Sequence, residues 1–192
     1  PAQAQRYDEP FRPQFHFSPA KNWTNDPNGL VFYKGEYHLF YQYNPFGDQW
    51  GHMSWGHAVS PDMVHWQHLP VAIKEEIGIM MFSGSAVVDQ NNSSGFCEGA
   101  DCMIAIYTGH TETRQTQNIA YSNDRGRTFI QYAGNPVIKH KGRDPDIFWY
   151  AKGRHWVMAL YDEKNGDARD VEFYTSPDLK NWHYESLVPG YY

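Results

Sequence analysis

The chain has 192 residues, of which 41% are hydrophobic and 17% aromatic, enough for an ordinary globular domain with a real core. Its formal charge of −6 comes without a basic run, which argues against nucleic acid as a partner, and no segment approaches the roughly 20 apolar residues of a membrane span. The aromatic residues, 7 Trp, 14 Tyr and 11 Phe, favour strands and are typical of a carbohydrate site, where flat rings meet the C–H faces of sugars.

The first stretch, 1–14, is rich in Gln and Pro and is expected to be an extended arm. It has no apolar segment of the kind that directs secretion, so we expect that such a signal was removed or was never present. The sequence then reaches a short acidic turn, Asn25–Gly29. Pro27 fixes its own φ, and Asn28-Gly29 suits a turn with positive φ, so Asp26 would be held on a stiff corner before a strand.

Three copies of one strand pattern follow this turn. Each copy has a hairpin, a third strand and a Ser-x-Asp sequence that ends in Trp or Phe. The strands are predicted at Leu30–Tyr33, Tyr37–Tyr43 and Met53–Val59, at Met103–Tyr107 and Asn118–Tyr121, and at Ile147–Tyr150, Trp156–Tyr161 and Val171–Thr175. The hairpin glycines Gly35, Gly99 and Gly153 are 64 and 54 residues apart, and Ser60, Ser122 and Ser176 are 62 and 54 apart.

A hairpin with a third and a fourth strand, repeated at this spacing, indicates the blades of an all-β propeller. The Asp of each Ser-x-Asp sequence is expected to cap a turn, and the ring that follows is expected to pack between blades. Since propellers close with about four to eight blades, residues 15–192 are predicted to form an incomplete propeller of about three blades. The remainder would lie elsewhere in a larger protein or in other chains.

Cys97 and Cys102 enclose four residues with a central Gly. They can form a small disulfide loop across a hairpin or remain two free thiols, and without a nearby pair of His they make a poor zinc site. Sequons begin at Asn22, Asn91 and Asn92, and would accept glycans in eukaryotic secretion. These features favour a secreted protein.

Four polar sequences are predicted to be turns at equivalent positions of the blades: Asn25-Asp26-Pro27, Trp55-Gly56-His57, Phe82-Ser83-Gly84-Ser85 and Arg143-Asp144-Pro145. The innermost strands of a propeller start at its axis, so such turns converge on one funnel. Asp26 and Asp144 would then be two carboxylates in one pocket, as glycoside hydrolysis requires. Arg143 is expected to keep the Asp144 carboxylate ionised.

These motifs, together with Trp23–Gly29 and Gln42-Tyr43-Asn44-Pro45, resemble those of the β-fructofuranosidases of glycoside hydrolase family 32, the invertases, inulinases and levanases. The match runs from about Phe15 to Tyr192 in the family's order. The resemblance implies a five-bladed propeller followed by a β-sandwich, and retaining hydrolysis of terminal fructofuranosyl units of sucrose, inulin or levan. It places the nucleophile at Asp26 and the transition-state stabiliser at Asp144, in a fructose pocket lined by Asn25, Gln42, Trp50, Phe82, Ser83 and Arg143.

The family's general acid is a Glu in a Glu-Cys-Pro motif, which this sequence lacks. Glu185 has no Cys-Pro after it, so we expect the motif beyond Tyr192 and the chain alone to be inactive. No cofactor is predicted, and the four clustered histidines are expected to pack and hydrogen-bond rather than to bind metal: His52, His57, His65 and His68. Alternatives are a fructosyltransferase, a non-catalytic fructan-binding propeller and an inverting arabinan-type hydrolase, which would need a different set of motifs.

Overall fold

The computed structural model describes residues 8–13, 15–139, 142–164 and 168–190. These residues form twelve strands in three antiparallel sheets of four strands each, and no helix. Nothing in the described part of the chain is therefore a helix long and apolar enough to cross a membrane. Each sheet is one copy of the repeat, and the predicted all-β propeller architecture is confirmed.

The strands of each sheet pair in the order in which they follow in the chain. The first sheet consists of β1 (Thr24–Tyr33), β2 (Glu36–Tyr43), β3 (Ser54–Ser60) and β4 (Gln67–Ile73). The second consists of β5 (Met80–Asp89), β6 (Cys102–His110), β7 (Gln115–Ser122) and β8 (Ile130–Gln131). The third consists of β9 (Gly142–Tyr150), β10 (His155–Lys164), β11 (Ala168–Ser176) and β12 (His183–Val188).

The first strands of the three sheets, β1, β5 and β9, lie side by side. Between β1 and β5 the approach is so close that a Cβ added to Gly29 would lie 2.3 Å from the Cβ of Ala86. Between β5 and β9, the backbone N–H of Ile147 donates to Ser85 Oγ at 3.0 Å. The starts of all three strands therefore lie at one end of the structure.

Most of the hydrophobic core lies between the sheets, and a smaller cluster lies on the first sheet alone, around Leu39, Tyr41 and Ala58. One cluster joins the first and second sheets and includes Phe40, Trp55 and Met103. A second cluster joins the second and third sheets and includes Ile106 and Met158. Because each sheet buries its faces against its neighbours, the packing of one sheet fixes the position of the next.

The three Ser-x-Asp sequences close the third strands β3, β7 and β11, as predicted. Oδ1 of Asp62 accepts hydrogen bonds from the backbone N–H groups of Val64 and His65 at 2.9 and 2.8 Å. Asp124 and Asp178 accept equivalent bonds. The third residue after each Ser has a positive φ, of 65° at Met63, 62° at Arg125 and 63° at Leu179.

In the second and third copies, the aromatic ring that ends the Ser-x-Asp sequence packs between sheets. Phe129, which follows β7, meets Phe40 of β2 edge to face with ring centroids 5.5 Å apart. Trp182, which follows β11, packs against the cluster between the second and third sheets. The predicted capping role is confirmed for all three copies, and the packing between sheets for two of them, because Trp66 packs within the first sheet against Leu39 and Tyr41.

Several local predictions are wrong. Phe82–Ser85 is not a turn but part of β5, a strand that the sequence did not predict, and Trp55-Gly56-His57 lies inside the third strand β3 rather than at the start of a blade. Asn25–Gly29 and Arg143-Asp144-Pro145 are not turns either, because they belong to β1 and β9, and neither Asn28 nor Gly29 has a positive φ. Gly29 is required instead because the backbone of β5 passes so close to it.

Two further predictions concern the arm and the cysteines. Of the arm 1–14, residues 1–7 and 14 lie outside the described residues, and the rest contains a turn in which Arg12 N donates to Glu9 O at 3.0 Å. Cys97 and Cys102 form the predicted disulfide. It ties the start of β6 to the preceding loop, at the end of the sheet opposite the start of β5.

Candidate active site

Three of the predicted site residues lie where the first strands change register near their starts. The pairing of β1 with β2 shifts twice between Thr24 and Leu30, around Asp26. The pairing of β5 with β6 shifts between Met81 and Gly84, around Ser83, and that of β9 with β10 shifts opposite Asp144. Such irregularities re-aim side chains away from the regular alternation of a strand and are frequent beside active sites.

Asp26 and Ser83 are joined directly. Ser83 Oγ donates a hydrogen bond of 2.7 Å to Asp26 Oδ2. Ser83 is 8% exposed, whereas Asp26 is open to solvent. A buried hydroxyl from the second sheet therefore orients an accessible carboxylate of the first sheet.

Asp144 is held by a chain of buried hydrogen bonds. Its backbone N–H donates to Thr108 Oγ1 at 3.1 Å, and Thr108 donates to Gln117 Oε1 at 2.8 Å. Gln117 Nε2 in turn donates to Gly142 O at 2.6 Å, on the other side of Arg143. This support holds Asp144 at a φ of 59°, a left-handed conformation that costs energy for any residue but Gly.

Three effects act on the pKa of the Asp144 carboxyl. Burial raises the pKa of Asp144, the nearby Asp26 raises it further, and Arg143 lowers it, with a net shift above the usual 3.8. Arg143 Nε is 3.7 Å from Asp144 Oδ2, and its guanidinium lies over the ring of Tyr161 at 4.8 Å. Arg143 favours the ionised carboxylate, as expected, but burial has the larger effect on the pKa. The effect of Asp26 shows that the two carboxylates share one site.

Gln42 lies behind this site. It is only 2% exposed, and its Nε2 donates to Met81 O at 2.9 Å. Trp55 Nε1 donates to the next carbonyl, that of Phe82, also at 2.9 Å. These two side chains of the first sheet fix the irregular start of β5, so the structure gives Gln42 a supporting contact. Its direct contact with a sugar stays a prediction.

Aromatic rings form one wall of the site. Trp50, in the loop between β2 and β3, is 56% exposed and lies 6.2 Å from Phe82 between ring centroids. Phe82 stacks on His110, with centroids 4.1 Å apart and planes 6° apart. Burial and the charge of Arg143 lower the pKa of His110, so this histidine is a neutral neighbour of the site.

The sequence did not predict His110 as a site residue. His110 ends β6 and pairs with Met80 at the start of β5. If the sequence had predicted β5 as a strand paired with β6, His110 would have been expected beside Phe82. His110 was therefore missed because β5 was missed.

Asn25 completes the site on the side of β1. Its Oδ1 accepts a hydrogen bond of 3.1 Å from Trp23 Nε1, and the residue is exposed. The start of the first strands and the adjoining loop thus bring together seven of the eight predicted residues: Asn25, Asp26, Trp50, Phe82, Ser83, Arg143 and Asp144. Their chemical roles stay predictions.

The clustered histidines have packing and hydrogen-bonding partners, as predicted. His57 Nε2 is 3.0 Å from Nδ1 of the buried His38, and its ring stacks on Phe40 at 4.2 Å. The contacts of the other three are to Glu75 for His52, to Asp62 for His65 and to Tyr41 for His68. Within the described ranges, no three His, Cys, Asp or Glu side chains are grouped so that they could hold a metal ion.

The chain is similar to enzymes that act on fructans. The sequence model of the glycosyl hydrolases family 32 N-terminal domain matches residues 16–190. A levanase of Bacillus subtilis is 56% identical over 96% of this chain and 27% of its own length. An extracellular exo-inulinase of Aspergillus niger is 43% identical over 94% of this chain and 39% of its own length.

A solved structure is similar over nearly the whole chain. The crystal structure of an exo-inulinase from Aspergillus awamori superposes with a TM-score of 0.90 at 41% identity. The superposition covers 97% of this chain and 41% of that protein. The chain therefore spans between 27% and 41% of the length of these relatives.

Proposed function

Because this chain belongs to glycosyl hydrolase family 32, we propose that it supplies the nucleophile and the fructose pocket of an enzyme that releases terminal β-fructofuranosyl units from sucrose or fructans. The observation that carries the proposal is the hydrogen bond of 2.7 Å between Ser83 and Asp26, in a site that also holds Asp144. It gives one carboxylate a fixed orientation beside a second carboxylate from another sheet.

The mechanism assigned to this site is retaining double displacement. The Asp26 carboxylate attacks the anomeric C2 of the terminal fructose, the bond from C2 to the glycosidic oxygen breaks, and that oxygen leaves with a proton from a general acid. Water then attacks C2 and gives its proton to the same group in its basic form, while the bond between C2 and Asp26 breaks, which releases β-fructose and restores the Asp26 carboxylate. We assign the acid to a residue outside this sequence, because the Glu-Cys-Pro motif of the family is absent from it.

Asp144 and Arg143 are assigned to the fructose itself. The Asp144 carboxylate would accept hydrogen bonds from ring hydroxyls and stabilise the positive charge that develops at C2. Arg143, 3.7 Å away, would favour the ionised form that this role needs. The exposed ring of Trp50 and the partly buried ring of Phe82 offer apolar surface to the C–H groups of the sugar, and Asn25 offers an amide to its hydroxyls.

We further propose that the protein is extracellular. The disulfide between Cys97 and Cys102 is a bond that persists in oxidising compartments, and the exo-inulinase of Aspergillus niger is described as extracellular.

The replacement Asp26→Asn tests the assignment of the nucleophile. In the protein that carries this chain, we expect the release of fructose from sucrose, inulin and levan to fall by at least about a thousandfold. The matched control is Asp101→Asn, a carboxylate that pairs with Lys34 at the opposite end of the sheets and should leave the rate unchanged. Activity of Asp26→Asn close to that of the wild type would overturn the proposal.

Two measurements separate the alternative functions. The products formed from concentrated sucrose distinguish hydrolysis, which yields free fructose, from fructosyl transfer, which yields longer saccharides. Calorimetry with fructose and a fructo-oligosaccharide, combined with a turnover assay, identifies a fructan-binding propeller if binding occurs without release of fructose.

A further inference from the structure

A second cleft opens at the same end of the first sheet as Asp26. It has a volume of about 560 Å³ and lies between the connection from β2 to β3, 44–53, and the connection from β4 to β5, 74–79. Because the sheet is antiparallel, the starts of β1 and β3 and the ends of β2 and β4 all lie at that end of the sheet. The volume falls in the range of sites for small molecules, roughly 300–1,000 Å³.

The lining of the cleft combines exposed apolar side chains with hydrogen-bonding groups. Phe46 is 73% exposed, and Ile77, at the tip of the second connection, is fully exposed. His52 meets Phe46 edge to face at 5.3 Å, and its Nδ1 is 2.8 Å from Glu75 Oε1. Apolar surface beside an imidazole and a carboxylate suits a sugar, which presents C–H groups and hydroxyls on adjacent faces.

The cleft is fixed rather than loose. Ser54 Oγ donates to His52 O at 3.3 Å and accepts the backbone N–H of Glu75 at 3.0 Å, which ties the two connections together. His52 itself has a φ of 51°, a conformation held against its own preference by these contacts. When a site is already formed before the ligand binds, no conformational entropy has to be lost to order its loops, and affinity is not reduced by that cost.

The cleft is connected to the candidate active site through the loop that forms one of its walls. Pro45 O accepts a hydrogen bond from Asn22 Nδ2 at 2.9 Å, and Gly47 O accepts one from Trp23 N at 3.0 Å. Both chain neighbours of Phe46 are thus bonded to the residues that lead into β1 and Asp26. The same loop carries Trp50 on the side of the active site.

We propose that this cleft binds sugar units of a fructan chain beyond the first unit of the leaving group, and so favours polymers over sucrose. This inference rests on the proposed function and adds the substrate class to it. A disaccharide has only one unit beyond its terminal fructose, whereas a fructan continues along the rim of the sheet. The occupant is thus an oligosaccharide, with its C–H faces on Phe46 and its hydroxyls on Glu75 and His52.

The test compares sucrose with inulin and levan in the protein that carries this chain. Phe46→Ala should raise KM for the polymers by about fivefold, with kcat and all constants for sucrose unchanged, because it removes binding that is equal in ground state and transition state. Glu75→Gln keeps the shape of the cleft and should raise the same KM to a smaller extent. Phe11→Ala is the matched control, since Phe11 is 97% exposed outside the cleft and should change nothing.

Calorimetry with an inulin-type oligosaccharide supplies a readout that does not depend on turnover. We expect weaker binding by Phe46→Ala and unchanged binding of fructose. Equal effects on sucrose and the polymers, or no effect on either, would overturn the inference while the wild type still hydrolyses all three. An inactive wild type would instead overturn the proposed function, and the oligosaccharide titration would then decide the role of the cleft alone.

Discussion

Ser83 Oγ donates a hydrogen bond of 2.7 Å to Asp26 Oδ2 and so connects the irregular starts of β5 and β1. The two residues are 57 positions apart in the chain and belong to different sheets. The orientation of the candidate nucleophile therefore depends on the packing between sheets and not only on the irregular start of β1.

Removal of the Ser83 hydroxyl should impair catalysis more than folding. Ser83→Ala leaves Asp26 without this partner, and misorientation of a reacting group costs on the order of 10- to 100-fold in rate. We expect such a loss in kcat for sucrose with a small change in melting temperature. Ser83→Thr, which keeps the hydroxyl, should recover part of the rate. A kcat for Ser83→Ala within twofold of the wild type would contradict the role.

The close approach of β1 and β5 predicts a compensating pair. Gly29→Ala would place a Cβ 2.3 Å from that of Ala86, and overpacking of this kind destabilises by about 1–3 kcal/mol. Urea unfolding should show this loss, and Ala86→Gly in the same protein should restore part of it. Gly99→Ala, which meets nothing within 4 Å, should be neutral. If Ala86→Gly does not rescue Gly29→Ala, the two strands do not meet in this way.

Asp144 predicts an opposition between stability and activity. Since its folded pKa lies above the usual 3.8, its ionised form destabilises the fold. The loss in free energy of unfolding is absent when the pH lies below the pKa of Asp144 in the unfolded chain. It is complete once the pH exceeds the pKa of Asp144 in the fold. Asp144→Asn should therefore raise the melting temperature at pH 7 more than at pH 3.5, while fructose release falls by at least about 100-fold. A lower melting temperature at pH 7 would show that the charge stabilises the fold.

The buried pair of His38 and His57 predicts sensitivity to acid. Burial lowers the pKa of both rings below the usual 6.5, and the charged groups around them are Glu36, Arg125 and Arg127. A histidine whose pKa is lowered by folding stays neutral in the fold at a pH where the unfolded chain already takes up a proton. The free energy of unfolding therefore decreases as the pH falls below about 6.5.

The measurement is the melting temperature at pH 7 and at pH 5. His38→Gln, which cannot take up a proton there, should show a smaller difference between the two than the wild type. His65→Gln is the control, because the side chain of His65 is 82% exposed. An unchanged difference in His38→Gln would locate the acid sensitivity elsewhere.

The repeat could be predicted from sequence because its signals are local. A Ser-x-Asp turn is specified by side chains that form hydrogen bonds within the same five or six residues. It could therefore be recognised from sequence at Ser60, Ser122 and Ser176. The strand β5 was not predicted because Ser83-Gly84-Ser85 resembles a turn. Gly84 stands there because a Cβ would lie 2.0 Å from Ile106 O, a contact with β6 that no local pattern reveals.

The proximity of most candidate site residues was predicted, and their local environment less well, while their roles stay predictions. The convergence of Asp26 and Asp144 followed from their places in the repeat, and the pKa of Asp144 reflects it. The direction of that shift, the buried position of Gln42 and the stacking of His110 on Phe82 depend on contacts between sheets. Sequence spacing gives the order of such groups along a strand but not the depth at which each one is buried.

The register shifts of β1, β5 and β9 divide each of these strands into an irregular part and a regularly paired part. Beyond each shift, regular pairing holds Val31, Ala86 and Ile147 in the arrangement that joins the sheets. Before it, the backbone leaves the ladder, and a substitution there changes what faces the ligand without disturbing the pairing that follows. Each of these strands thus carries candidate site residues in its irregular part and a regularly paired stretch that packs against its neighbour.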